Sequence, residues 1–194
     1  GDGGWGLAAR FERDPLDSAL SLAAFTAQPV LSIEAYSRSL LALLSFQNAD
    51  GGWPCTTVAD GSADSEIYCT ALALEALASA GGRFYVVPQI ESGAGFLHGR
   101  RNGDGSFGPL GAAQIVRTAT AALGLAAVGK LGGEALAIES FLVATQRADG
   151  SWEGDPYTTA LGVRALDALA AVPICGDGVA EAGEACDLFD LRGR

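Results

Sequence analysis

The same glycine-aromatic turn occurs four times in this sequence. It reads "DGGW" at Asp2–Trp5 and Asp50–Trp53, "DGSF" at Asp104–Phe107 and "DGSW" at Asp149–Trp152, with copies about 50 residues apart. A unit of that length cannot bury its apolar face alone, so successive units have to stack on one another. Two of the copies are alike further upstream, as "FQNADGGWP" at Phe46–Pro54 and "TQRADGSWE" at Thr145–Glu153, where Gln47 and Gln146 stand in register before their tryptophans.

A second landmark follows each turn: "DPLDSALSL" from Asp14, "EIYCTALAL" from Glu66, "QIVRTATAAL" from Gln114 and "DPYTTALGV" from Asp155. Asp14-Pro15 and Asp155-Pro156 predict helix starts, because an aspartate accepts from orphan N–H groups and a proline in the first turn forfeits no needed donor. Glu66 and Gln114 are the weaker caps. Glycines at Gly81, Gly82, Gly129, Gly132 and Gly133 predict the stops. Second runs at Ile33–Phe46, Gln89–His98 and Glu134–Gln146 repeat apolar residues at helical spacing. The pattern predicts seven helices and no strands. Alanine-rich runs such as "TALALEALA" suit an inner layer in which backbones approach closely, and the Phe-, Tyr- and Leu-bearing runs suit an outer one.

Composition narrows the function classes. With 49% hydrophobic residues over 194 positions there is ample core for one domain. A net charge of −11 presents no cationic face to nucleic acid or to an anionic membrane. No apolar run reaches the roughly 20 residues of a membrane span. The absence of methionine and the loop-like start are read as a mature product or a piece of a longer protein, its targeting signal upstream. Cys55 and Cys69 form one local pair of cysteines and Cys175 and Cys186 another, with no C-x-x-C spacing. Each pair, if oxidised, would stabilise by about 3 kcal/mol, which favours an oxidising compartment.

"FQNADGGW" and "TQRADGSW" resemble the QW motifs of squalene-hopene cyclases, oxidosqualene cyclases and prenyltransferase-type repeats, and "CTALALEAL" and "TTALGVRAL" resemble the inner helices behind them. The resemblance implies an all-α fold of helical-hairpin repeats in an α/α toroid, here partial at about four units. The expected repeats lie around 1–28, 29–82, 83–131 and 132–172, followed by an irregular cysteine-containing tail at 173–194. It implies a structural role for Trp5, Gln47, Trp53, Gln146 and Trp152: glutamine satisfies helix-end groups while tryptophan packs over it, as a core fixture. Phe107 departs by losing the indole, and Arg101 stands where that copy would have glutamine.

The catalytic equipment of those families is not carried over. The cyclase acid is the middle aspartate of D-x-D-D-T, and the matching positions hold Leu16, Tyr68, Val116 and Tyr157. Asp17 is the weak reserve candidate, with an exposed first-turn residue as its plain alternative. Tyr68, Cys69, Arg117 and Tyr157, at inner-helix starts, are expected at a cavity rim. The prenyltransferase zinc set finds Cys69 in place, but His98, the single histidine, falls beside Arg100 and Arg101 in a solvated position, so neither a metal nor another cofactor is expected.

In the tail, "CGDGVAEAGEACD" resembles one unit of the cysteine-rich repeats of secreted and cell-surface proteins of myxobacteria-like organisms, which favours extracellular or cell-surface placement. Asp177, Glu181, Glu184 and Asp187 read as solvated acids before calcium ligands. The expected partner is an apolar, isoprenoid-like small molecule or a protein, with self-association or further repeats upstream completing the arc. The alternatives are a cyclase- or prenyltransferase-like enzyme with catalytic residues in missing repeats, and a structural spacer.

Overall fold

The computed structural model of the chain describes residues 4–6, 13–26, 32–57, 63–80, 82–111 and 113–171. Seven helices lie among them: α1 (Pro15–Thr26), α2 (Ile33–Leu44), α3 (Ile67–Ala78), α4 (Val87–His98), α5 (Gln114–Ala127), α6 (Ala135–Thr145) and α7 (Pro156–Ala170). The fold is all-α. Among the described residues the only β pairings are two isolated bridges, Trp53 with Glu66 and Arg101 with Phe107. The expected tail boundary at 172/173 and the Cys175–Cys186 pair lie outside the described residues.

Local chemistry sets most helix ends. Asp14 Oδ1 accepts from the N–H groups of Leu16 and Asp17 at 2.9 and 3.3 Å, and Asp155 Oδ2 from that of Thr158 at 2.7 Å. The weaker caps behave differently. Glu66 makes no side-chain cap, and α5 begins at Gln114 itself, behind Ala113 at φ +60°. Gln114 turns its amide back to Ser106 Oγ at 2.8 Å. Of the predicted stops, Gly129 closes α5 at φ +65°, with the Lys130 N–H donating to the Leu125 carbonyl. Gly82, Gly132 and Gly133 have ordinary backbone angles, and Gly81 lies outside the described residues.

The odd-numbered helices form one row, α1 against α3, α3 against α5 and α5 against α7. The even-numbered helices form a second layer, α2 on α1, α4 on α3, and α6 on α5 and α7. Small residues make the row possible. A Cβ on Gly124 would come within 2.7 Å of the Ala71 carbonyl oxygen, so α3 and α5 cross at a separation that only glycine allows. Leu74, Leu77, Leu97, Leu125 and Leu142 are buried between the layers, and each contributes on the order of 1.5–3 kcal/mol by leaving water.

The second, third and fourth glycine-aromatic turns each clasp the helix before them to the one behind, and the first bonds to the helix behind it. Gly51, Gly105 and Gly150 sit at φ +88°, +88° and +83°, where a side chain is strained. Asp50, Asp104 and Asp149 each accept the N–H two residues on, at 3.0 Å. The aromatic residue's own N–H donates to the Ser or Thr of the second landmark. The bonds run from Trp5 to Ser18, Trp53 to Thr70, Phe107 to Thr118 and Trp152 to Thr159, at 3.2, 2.9, 3.0 and 3.1 Å. This explains a hydroxyl at that place in every copy, a feature visible in the sequence but without an assigned task.

Trp53 and Trp152 pack in the core, but the carbonyls at the end of the preceding helix are bonded by tryptophan and not by the glutamine to which the resemblance assigns them. The last-turn carbonyls of Leu43 and Leu142 accept from the indole Nε1 of Trp53 and Trp152, both at 2.9 Å. Gln47 and Gln146 instead donate to the loop carbonyls of Gly51 and Gly150, at 2.8 and 2.9 Å. The indole N–H lies deep between the layers, within reach of the helix end, whereas the amide is nearer the surface. Trp53, Phe107 and Trp152 are fully buried. Trp5 is not: it is 42% exposed, edge-on to Phe25, and its Nε1 donates to the Ser39 hydroxyl at 3.3 Å. No described helix precedes it to cover the ring.

Candidate functional site

A cleft of about 860 Å³ opens between the first turns of α3 and α5 and the stretch from Gly99 to Pro109. Its size falls within the range of small-molecule sites. Ile67, Val116 and Pro109 give it an apolar wall, and Tyr68, Arg100, Arg101, Asn102 and Arg117 a polar one that also includes Ser65 and Glu66.

The third turn builds the polar wall. Asn102 Nδ2 donates to Ser106 Oγ at 3.0 Å and to the Gly108 carbonyl at 2.8 Å, and the Gly108 N–H donates to the Arg100 carbonyl at 2.8 Å. These bonds fix the backbone that carries both arginines. Arg100 stacks over the Phe96 ring, 3.5 Å from its centroid, with Nη2 3.5 Å from Asp50 Oδ2. Arg117 donates from Nη2 to the Pro109 carbonyl at 2.6 Å and so tethers the lip. The side chain of Arg101 has no partner among the described residues and is exposed at the cleft.

Tyr68 separates this cleft from the inner side of the row. Its hydroxyl lies 2.7 Å from that of Tyr157, so α3 and α7 meet across α5. One turn pair further along, Arg164 Nη2 donates to Glu75 Oε2 at 3.3 Å over the same helix. The row therefore curves until side chains bridge its inner face. Burial, then the hydrogen bond with Tyr157, pushes the Tyr68 phenol up to about 12. Burial likewise raises the Glu75 carboxyl, against the opposing pull of Arg164. A phenol held above the value of free tyrosine is a weaker proton donor than free tyrosine.

Of the residues expected at a cavity rim, the structure brings Tyr68 and Arg117 to the cleft and Tyr157 to Tyr68. Cys69 is elsewhere: it is buried and disulfide-bonded to Cys55, because one residue past Tyr68 the helix has turned by about 100° away from the cleft. Asp17 sits in the first turn of α1 and does not line the cleft. His98 is not simply solvated; its Nδ1 lies 3.1 Å from Glu134 Oε1 and ties the end of α4 to the start of α6. Among the described residues no group of His, Cys, Asp and Glu is arranged to hold a metal, and no helix is long and apolar enough to cross a membrane. Arg100 was not singled out as a site residue, and its signal is the departure of the third turn from its siblings; Asn102 is in register with Asn48 of the second turn.

No family model matches the chain, and no curated protein matches it. Among solved structures it is similar to the type II terpene cyclase MstE from Scytonema, in its apo form, at 18% identity and a TM-score of 0.47. The match covers 88% of this chain and 77% of that one, and it is a likeness of fold alone.

Proposed function

We propose that residues 1–172 form a non-catalytic binding domain of QW-type helical repeats, with 173–194 as a separate tail, and that the cleft between α3, α5 and the third turn holds an apolar ligand. The observation that carries this reading is a cleft of about 860 Å³ with Ile67, Val116 and Pro109 on one wall. The tyrosine pair at the cyclase-acid position supports binding without chemistry. The Cys55–Cys69 disulfide is compatible with an oxidising compartment and supports extracellular or cell-surface placement. Leu20 on α1 and Val163 on α7 are exposed at the two ends of the row, which supports its completion by further helical pairs or a second copy.

Two measurements test the reading. Val116→Trp fills the cleft, so binding of decanol, followed by calorimetry, is expected to disappear in that variant; decanol binding unaffected by it would remove the cleft from the proposal. Incubation with squalene and polyprenyl substrates, read by mass spectrometry, is expected to return them unchanged. A cyclised product would install the enzyme reading instead. A second reading, a structural spacer, is favoured by the Tyr68–Tyr157 and Glu75–Arg164 bridges that occupy the inner face of the row. It predicts no decanol binding at all.

A further inference from the structure

The polar wall of the cleft is basic in a chain whose net charge is −11. Arg100, Arg101 and Arg117 converge on it, and among the described lining residues the carboxylate is that of Glu66. Their states differ. Arg100 shares its charge with Asp50 across 3.5 Å and with the Phe96 ring, and Arg117 is held by the Pro109 carbonyl. Of the three, Arg101 alone makes no side-chain hydrogen bond, ion pair or ring contact with the described residues, although it stands at the position where Gln47 and Gln146 tie down their own turns. The turn is held without it, because Asn102 supplies the side-chain bond to a loop carbonyl, 2.8 Å to Gly108. A guanidinium placed at an apolar cleft and released from structural duty is a donor fork for a planar oxyanion.

We infer that the cleft takes an anionic amphiphile, an apolar chain ending in a carboxylate or phosphate, with the acid group on Arg101 beside Arg117 and the chain along Ile67 and Val116. This rests on the proposed function and adds the chemistry of the ligand's head. The geometry is that of an apolar wall and a cationic wall facing one space, with the Tyr68 hydroxyl as a further hydrogen-bonding group. Arg101 acts here as a specificity determinant, distinguishing acids from alcohols of equal length.

The experiment compares decanoate, decyl phosphate and decanol, each below its aggregation threshold, on the intact chain and on Arg101→Gln. Gln is the residue that the second and fourth copies have at this place, so the variant is expected to fold; unfolding midpoints check that. Both acids are expected to bind at least tenfold more tightly than decanol, to lose about tenfold on Arg101→Gln, and to weaken with added salt. Decanol is expected to bind both proteins equally. Tighter binding of one acid than the other identifies which oxyanion the fork prefers. Equal affinity for acids and alcohol, or acid binding indifferent to Arg101→Gln, overturns the inference and leaves the apolar-cleft reading standing. Failure of all three probes to bind overturns both.

Discussion

The second and third glycine-aromatic turns begin from the same plan and end in different states. In the second, the Trp53 indole holds the Leu43 carbonyl, Gln47 holds the Gly51 and Gln89 carbonyls, and the Cys55–Cys69 disulfide joins the loop to α3. In the third, Phe107 has no indole, and the Leu97 carbonyl keeps only backbone donors such as the Arg100 N–H, the counterpart of the Phe46 N–H on the Leu43 carbonyl. Arg101 stands in place of the glutamine and bonds no loop carbonyl, the Asn48 position is kept as Asn102, and the place of the disulfide is filled by Arg117 on the Pro109 carbonyl. Both turns keep the aromatic N–H bond to a threonine hydroxyl. The shared bond is what the fold needs; the rest can be exchanged, and where it was exchanged the chain acquired a cleft with three arginines.

If that contrast is correct, the second clasp resists loss least. Trp53→Ala removes a fully buried indole and the donor to Leu43, and is expected to cost about 4 kcal/mol in denaturant unfolding. Trp5→Ala, at a ring that is 42% exposed, is expected to cost about 1 kcal/mol or less. Equal costs would mean that all four turns clasp alike.

The covalent tie comes next. Replacing Cys55 and Cys69 together by serine releases a short loop and is expected to cost about 3 kcal/mol, whereas Arg117→Ala, at the equivalent place in the third turn, is expected to cost about 1 kcal/mol. A costlier arginine would show the third turn to be as tightly held as the second, and its cleft to be a by-product of packing.

The common bond separates the turns less. Thr70→Val and Thr118→Val each leave a buried aromatic N–H without its acceptor, at 2.9 and 3.0 Å in the native chain, and each is expected to cost about 1–3 kcal/mol, the two values agreeing within error. A difference larger than about 1 kcal/mol would mean that the exchanged contacts, and not the hydroxyl, carry one of the clasps.

Much of this was open to a reader of the sequence. The recurring turns, the Asp-Pro starts and the alanine-rich runs predict seven helices, because each is a local signal with a local cause. The departure at Phe107 and Arg101 was visible too. What could not be read is what depends on the curvature of the row. Tyr68 and Tyr157 lie 89 residues apart and meet because α3 and α7 lean together over α5. Cys69 and Tyr68 are neighbours in sequence, yet one faces Cys55 and the other the cleft. That Trp53 and not Gln47 bonds the Leu43 carbonyl was hidden for a similar reason: either side chain can bond a carbonyl, and only depth between the layers decides which.

The smallest expected effect concerns one of the links between the second and fourth copies that pass over the third, the Tyr68–Tyr157 pair. Tyr68 is raised from its ordinary 10.0 to about 12, by burial first and by Tyr157 second. The folded chain therefore keeps this proton where the unfolded chain has released it, and stability falls as pH rises from about 10 to about 12. Below that window the contribution is complete. Burial raises Tyr36 in the same direction, so the wild-type slope is a sum of at least two groups. Tyr68→Phe removes one of them and leaves Tyr36, and the expected outcome is a shallower loss of unfolding free energy across the window, with one late-titrating phenol missing from the ultraviolet difference spectrum. An unchanged slope would place Tyr68 in free contact with water, and α3 and α7 would then be joined over α5 by the Glu75–Arg164 pair alone.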